Sequence, residues 1–408
     1  MKIVVLSDSP TIPTGYRNQM VLLTKYLQKR GHEIFYMANG YIGSHIDKLI
    51  LEGGEEFNYK IWGHDHTNPY FNRTMSEHLR RVNADRFVIL LDTFMLYGAN
   101  FLNIDTAPAK TFFWFPSDGG GGLPKDCLKI LQKVHVPVAM SEFGQKQVKD
   151  YYGLNTKFIP HGVNSKEFFP LPEQEKLNLK RRCGIEGKFV IGVVARNQPR
   201  KNLDRTVKVM KIVAERLPNA VLYLHLDPND PAQPLHNIHE LVKKFGIENR
   251  VIYSGMTVAH GFPQSKMNEV YNLMDVFLLT TSGEGFGIPI IEAMSCEIPV
   301  VATDYTTTPE LVKKNNAGMG IKLAGVEEID LLSTEQKEYD IKVLDGTMTG
   351  SWEVERGFCS VHDAANKIVY LYENPNVRKL MGSNGRKAVI NKYDFETKIG
   401  PAWEEVLK

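Results

Sequence analysis

No stretch of the chain approaches the ~20 consecutive apolar residues that a membrane-spanning helix requires. The opening run Met1-Lys2-Ile3-Val4-Val5-Leu6-Ser7-Asp8 is also far shorter in apolar residues than the core of a secretory signal. Cysteine is scarce: Cys127, Cys183, Cys296 and Cys359 are scattered with no C-x-x-C spacing. That reads as reduced thiols and argues against a disulfide scaffold or a cysteine-based zinc site. Charge of one sign is lacking too. The formal net charge is +2 with a pI near 8.1, and neither half carries a long basic stripe, which disfavours nucleic acid as a partner. A weakly basic patch making peripheral contact with anionic membrane lipid remains compatible with that balance. No G-x-G-x-x-G follows the first strand, which argues against a nicotinamide dehydrogenase. No Asp-x-Asp is present to hold a divalent metal. His64-Asp65-His66 and His236-Asn237-Ile238-His239 lack further ligands at a recognised spacing and read as surface histidines. The expectation is a soluble, cytoplasmic protein with no metal and no cofactor.

What is present is a repeated alternation of short β-branched runs with helical patterns, the signature of parallel sheets built from βαβ units. A length of 408 residues suits two domains. In the first half the runs predict strands at 2–6, 33–37, 87–91, 111–115, 136–140 and 157–159. In the second they predict strands at 189–195, 221–226, 250–253, 276–280 and 299–303, with helices at 203–217 and 267–273. The series breaks at Phe169-Pro170-Leu171-Pro172-Glu173. The expected fold class is therefore α/β, with two doubly wound, Rossmann-like domains at 1–168 and 173–392. Ligands are expected in a cleft at the carboxyl ends of their strands. From Val361 onward the sequence reads as consecutive helices, while 324–357 is polar with weak periodicity and carries Trp352 in isolation.

The most informative stretch is Thr281-Ser282-Gly283-Glu284-Gly285-Phe286-Gly287-Ile288-Pro289-Ile290-Ile291-Glu292. A strand ends before it and a helix opens near Pro289, a residue suited to the first helical turn. Glycines let backbone N–H groups approach an anion, and the helix N-terminus adds its positive dipole end. Glu284 then suits the hydroxyls of a sugar, and Glu292 those of a ribose. A second cluster, Arg196-Asn197-Gln198-Pro199-Arg200-Lys201, follows the apolar run Val190–Ala195. Its Arg196 fork and Lys201 point charge suit the oxygens of a leaving diphosphate. Leu224 to Pro231 ends a strand at the same edge. Ser254 and Met256, past the next strand, are candidates to meet the base.

The span from Glu284 to Glu292, with seven residues between the two glutamates, resembles the E-x7-E motif of retaining family 4 glycosyltransferases. Arg196 and Lys201 resemble that family's phosphate-binding pair. Further likeness lies in His161-Gly162-Val163-Asn164, Pro299–Asp304, Pro309-Glu310-Leu311-Val312 and the helical tail. The resemblance implies a GT-B fold whose last helix, about 393–408, packs back on the first domain. It implies a UDP-, GDP- or ADP-linked sugar donor and transfer with retention and without metal. The acceptor would be a sugar, a lipid-linked molecule or a protein. Arg196 and Lys201 would bind the diphosphate, Glu292 the ribose, and Glu284 with Gly285, Phe286 and Gly287 the donor sugar. In the N-terminal half, Gly15 stands alone in the first Gly-rich loop, where two glycines are common, and is expected to bind the donor by bringing backbone N–H groups to a phosphate. Asp118, beside Gly119–Gly122, stands where many members carry a histidine and substitutes for it towards sugar or acceptor hydroxyls. Two other readings stay open: a nucleotide-sugar epimerase of the same fold, and a nucleotide-sugar-binding subunit without turnover.

Overall fold

The computed structural model of the chain describes residues 1–51, 54–64, 69–230, 237–257, 261–330 and 353–408. Asp65, His66, Pro231, His236 and Trp352, named above, lie outside the described residues. The chain divides into two compact units. Unit 1 comprises Met1–His161, Glu328–Glu355 and Glu396–Lys408, and unit 2 comprises Gly162–Glu327 and Arg356–Phe395. The division at 161/162 falls before the Pro-rich break at 169–173. The segment 162–168 joins unit 2 because Val163 pairs with Asp394 and Ser295 Oγ donates to the Phe168 carbonyl at 2.6 Å.

In unit 1 the strands are β1 (Lys2–Asp8), β2 (Glu33–Ile42), β3 (Leu49–Ile50), β4 (Glu56–Phe57), β5 (Lys60–His64), β6 (Arg86–Leu90), β7 (Lys110–Phe115), β8 (Val136–Ala139) and β9 (Lys157–Phe158). Seven of them form one parallel sheet in the order β5-β2-β1-β6-β7-β8-β9. The order reverses direction between β1 and β6. Strand residues Val4, Leu6, Phe87, Ile89 and Phe113 alternate onto one face and pack against Leu79, Leu96 and Ile130 of the covering helices. β5 was not expected from the sequence, because Lys60-Ile61-Trp62-Gly63-His64 has too few β-branched residues to stand out. The helix Gly400–Leu407 belongs to unit 1, where the fully buried Trp403 ring meets Trp114 edge-on with centroids 5.0 Å apart.

Unit 2 holds β10 (Phe189–Val194), β11 (Ala220–His225), β12 (Val251–Tyr253), β13 (Val276–Leu279), β14 (Val300–Thr303) and β15 (Gly318–Ile321). They form a six-stranded parallel sheet in the order β12-β11-β10-β13-β14-β15. This is the doubly wound Rossmann order, and its switch point lies between β10 and β13. β15 escapes sequence reading because Gly318-Met319-Gly320-Ile321 looks like a turn. Gly318 is required for packing instead: a Cβ there would lie 1.9 Å from the Val300 carbonyl oxygen. The region 324–357 also proves to contain strand at both ends. β16 (Leu323–Asp330) pairs with β17 (Glu353–Cys359) in a two-stranded ribbon.

Candidate functional site

The two sequence clusters meet at the switch point of unit 2. Residues 195–202 leave the carboxyl end of β10, and residues 280–287 leave the carboxyl end of β13. The loops are sewn together by short hydrogen bonds. Ser282 donates its backbone N–H to the Arg200 carbonyl at 2.7 Å, and its hydroxyl donates to the same oxygen at 3.0 Å. The Thr280 hydroxyl donates to the Asn202 carbonyl at 3.0 Å. Small hydroxyl residues thus replace sheet pairing just beyond the end of β13, where the backbone must diverge to form a cradle.

Inside this seam sits a three-membered ion cluster. Lys201 Nζ lies 2.5 Å from Glu284 Oε1, and Arg200 NH1 lies 3.0 Å from Glu284 Oε2. Arg200 NH1 also donates to the Gly283 carbonyl at 3.0 Å. Burial alone would raise the Glu284 carboxyl, but Arg200 and Lys201 outweigh it and bring it down to about 2. The sequence assigns Glu284 to the hydroxyls of a sugar, which requires it to be accessible. In the structure the residue is 4% exposed and both carboxylate oxygens face cations. An unpaired carboxylate buried there would be strongly unfavourable, so the cations and the glutamate must come together. The cluster carries one net positive charge at neutral pH.

The backbone of this loop is fixed from the far side by residues that sequence reading did not single out. Glu284 N–H donates to Thr306 Oγ1 at 3.0 Å, and the Thr307 hydroxyl donates to the Phe286 carbonyl at 2.8 Å. Thr306 is held at φ 52°, a left-handed conformation rare for a β-branched residue. Gly287 follows at φ 100° and caps the helix Ile288–Ser295, with Pro289 in its first turn. Phe286 is buried, its ring centroid 6.1 Å from that of Tyr393. Gly285 completes the loop between the ion cluster and the helix N-terminus.

Glu292, one turn into that helix, is 7% exposed. Its Oε2 accepts a 2.5 Å hydrogen bond from the Tyr271 hydroxyl. Burial raises its carboxyl to about 7, with the Tyr271 hydrogen bond pulling the other way. Glu284 and Glu292 therefore have opposite electrostatic settings, one held as a carboxylate and one poised near neutrality.

Arg196 lies at the same edge but is not free. Its Nε and NH2 form a bidentate pair with Asp230, each at 3.0 Å, and Asp230 is 1% exposed. The fork is thereby fixed in direction, while NH1 makes no hydrogen bond to the described residues. Ser254 and Met256 follow β12, half-buried, and the Met256 N–H donates to the Ser254 hydroxyl at 3.3 Å. His225 ends β11 with its ring edge-on to Phe262 at 4.6 Å, and burial lowers its imidazole to about 4, leaving it neutral.

In unit 1, Gly15 opens the helix Gly15–Gln28, capped by Thr14, whose side chain accepts from the Arg17 N–H at 3.1 Å. The Thr14 hydroxyl itself donates to Asp8 Oδ2 at 2.7 Å, and the Tyr16 hydroxyl donates to Asp92 Oδ1 at 2.6 Å. Carboxylates at the ends of β1 and β6 stand beside this helix start, which opposes an anion there. Asp118 follows β7, half-buried, before Gly119–Gly122. Gly120 pairs with Glu355 through reciprocal backbone hydrogen bonds of 3.0 and 3.2 Å.

The sequence profile described as "Glycosyl transferases group 1" matches residues 175–333, a span that holds every unit 2 residue of the candidate site. Mannosylfructose-phosphate synthase of Agrobacterium fabrum is 31% identical over 159 residues, covering 37% of this chain and 34% of that protein. The putative glycosyltransferase EpsD of Bacillus subtilis is 26% identical over 246 residues, covering 60% of this chain and 52% of its own. The chain thus spans about a third to a half of the length of these curated relatives. Among solved structures, sucrose-phosphate synthase from Thermosynechococcus elongatus superposes with a TM-score of 0.74 at 14% identity, covering 100% of this chain and 98% of its own. With two Rossmann-like units and this likeness, the chain has the GT-B fold, and its residues 175–333 are similar to the glycosyl transferases group 1 profile.

Proposed function

We propose that the chain is a glycosyltransferase that moves a sugar from a nucleoside-diphosphate sugar to a hydroxyl acceptor. The observation that carries this reading is the Arg200–Lys201–Glu284 cluster, with Lys201 and Glu284 buried, at the switch point of unit 2 beside a helix N-terminus. An anion is favoured there by one net positive charge, by the Arg196 NH1 arm and by backbone N–H groups. As the bond between the anomeric carbon and the diphosphate oxygen breaks, negative charge builds on that oxygen. Lys201 and Arg196 stabilise it from fixed positions, so neither has to reorganise as the charge develops. Glu284 fixes Lys201 and Arg200, and with the Gly285, Phe286 and Gly287 backbone it bounds the place of the donor sugar. Glu292 receives the ribose. Ser254 and Met256 lie towards the base.

The reaction is read as retaining and independent of metal, the cations of the protein supplying the positive charge. The acceptor oxygen attacks the face that the diphosphate leaves, and the leaving phosphate oxygen takes the acceptor proton. The acceptor falls to unit 1, with Asp118 accepting from its hydroxyls. The carboxylates Asp8 and Asp92 suit hydroxyl groups better than phosphate at the Gly15 loop, so the diphosphate is assigned to unit 2 alone. Acceptors of three classes fit this reading: sugar, lipid-linked molecule and protein.

The test is release of nucleoside diphosphate from UDP-, GDP- and ADP-sugars, with and without each acceptor class. The reading expects one donor to be consumed at least tenfold faster with an acceptor present. Interconversion of the sugar without nucleotide release would make the protein an epimerase. Tight donor binding with no turnover under any acceptor would make it a binding subunit.

A further inference from the structure

Helix Ile288–Ser295 carries Glu292, and helix Met267–Asn272 lies against it in unit 2. Two polar contacts one turn apart join the helices. Asn268 Oδ1 accepts from Cys296 Sγ at 3.2 Å, and the Tyr271 hydroxyl donates to Glu292 Oε2 at 2.5 Å. Asn268 is tied in turn to the Phe169 N–H at 2.9 Å and to the Asn272 side chain at 3.1 Å, which fixes the helix beneath Tyr271. Tyr271 is fully buried, its ring packed edge-on against Phe168 with centroids 5.8 Å apart. Its hydroxyl has no route to water and meets the glutamate at the short end of the hydrogen-bond range.

The two oxygens of Glu292 are therefore not equivalent. Oε2 is held inward by Tyr271, while Oε1 takes no hydrogen bond from the described residues and belongs to the small part of the side chain that solvent reaches. A carboxylate in a site this dry would otherwise be free to turn about its last torsion, which is broad and roughly two-fold. A ribose diol offers two adjacent O–H donors and needs an acceptor in one fixed direction.

We propose that Tyr271 is a positioning residue for the donor: its hydroxyl holds Glu292 by one oxygen so that the other stands ready for the ribose hydroxyls. This rests on the reading that the site takes a nucleoside-diphosphate sugar. Tyr271 does not touch the ligand. It acts through Glu292, and its effect falls on the sugar hydroxyls of the nucleoside and not on the diphosphate.

The experiment measures dissociation constants for UDP, GDP and ADP and for their 2′,3′-dideoxy counterparts, using the full chain. The native protein is expected to prefer a ribonucleotide by about tenfold or more, the worth of one good hydrogen bond to a charged group. Tyr271→Phe is expected to bring that preference to within threefold while the dideoxy nucleotide binds as before. Should Tyr271→Phe strand the buried carboxylate and fail to fold, Glu292→Gln and the double variant Tyr271→Phe/Glu292→Gln, which bury no charge, replace it. Glu292→Gln then keeps part of the preference, because Tyr271 holds the amide oxygen and turns the NH2 group to donate to the ribose oxygens, and the double variant loses it. A full ribose preference in Tyr271→Phe, or an equal preference in the single and double Gln variants, overturns the role of Tyr271 and leaves the donor site standing. Failure of the native chain to bind any of the three diphosphates overturns both.

Discussion

Among individual residues, the two glutamates of the E-x7-E span make opposite predictions about pH. Glu284 loses its proton near pH 2 in the folded chain and near 4.5 when unfolded. Its contribution of about 3 kcal/mol is therefore complete above pH 4.5 and lost as the pH falls towards 2. Glu284→Gln should lose that amount at pH 7 and show a flatter acid arm in urea unfolding; an unchanged acid arm would mean that the ion cluster does not form. Glu292 has its folded pKa raised to about 7 from 4.5. The folded state then holds the extra proton, so stability is full below pH 4.5 and declines by about 3 kcal/mol as the pH rises through 7. Glu292→Gln should remove this decline and unfold later than the native chain at pH 8. An equal loss of stability between pH 5 and 8 in both proteins would contradict it. At this scale the sequence names Glu284, Glu292, Lys201 and Arg196 through spacing and charge. It does not show that Glu284 is spent on Arg200 and Lys201, or that Asp230 clamps Arg196 from 34 residues away. Tyr271 and Thr306 carry no local mark at all, since their partners are met only after folding.

At the level of elements, the strands with β-branched runs are legible within a residue or two, apart from β2, which runs five residues past its predicted end to Ile42. Val276–Leu279 and Val300–Thr303 follow directly from composition. Of the edge strands, β9 and β12 are legible, but β5 and β15 are not, because their residues are chosen by a neighbour instead of by propensity. Gly318 shows why: its Cβ would occupy the Val300 carbonyl, so only glycine lets β15 approach β14. Gly318→Ala is expected to destabilise the chain by about 2 kcal/mol and to speed hydrogen exchange in Val300–Thr303. Unchanged protection there would show that β15 is not packed as described. Gly287 plays a different part, since a left-handed φ of 100° starts the helix that aims N–H groups at the site. Gly287→Ala is expected to weaken nucleotide binding and to lower stability by about 1–2 kcal/mol, read together by calorimetry. Full binding in a destabilised protein would separate the turn from the site.

For the whole molecule, the chain begins and ends in the same unit. Trp403 is fully buried beside Trp114, and Arg86 Nε donates to the Leu407 carbonyl at 2.5 Å. Trp403→Ala should therefore destabilise unit 1 by about 3–5 kcal/mol, with faster hydrogen exchange in Lys110–Phe115 and none of the change in Phe189–Val194. Equal loosening of both strands would contradict the division into two units. The measurement that tests the central claim most directly is thermal unfolding with UDP, GDP, ADP and dTDP, run beside Lys201→Ala. A diphosphate at about 100 times its dissociation constant stabilises by about 2.7 kcal/mol, which moves the midpoint by several degrees. The account predicts such a shift with one of the four in the native chain and its loss in Lys201→Ala. No shift with any of them, or a shift that survives the loss of Lys201, would contradict a diphosphate site built on the cluster.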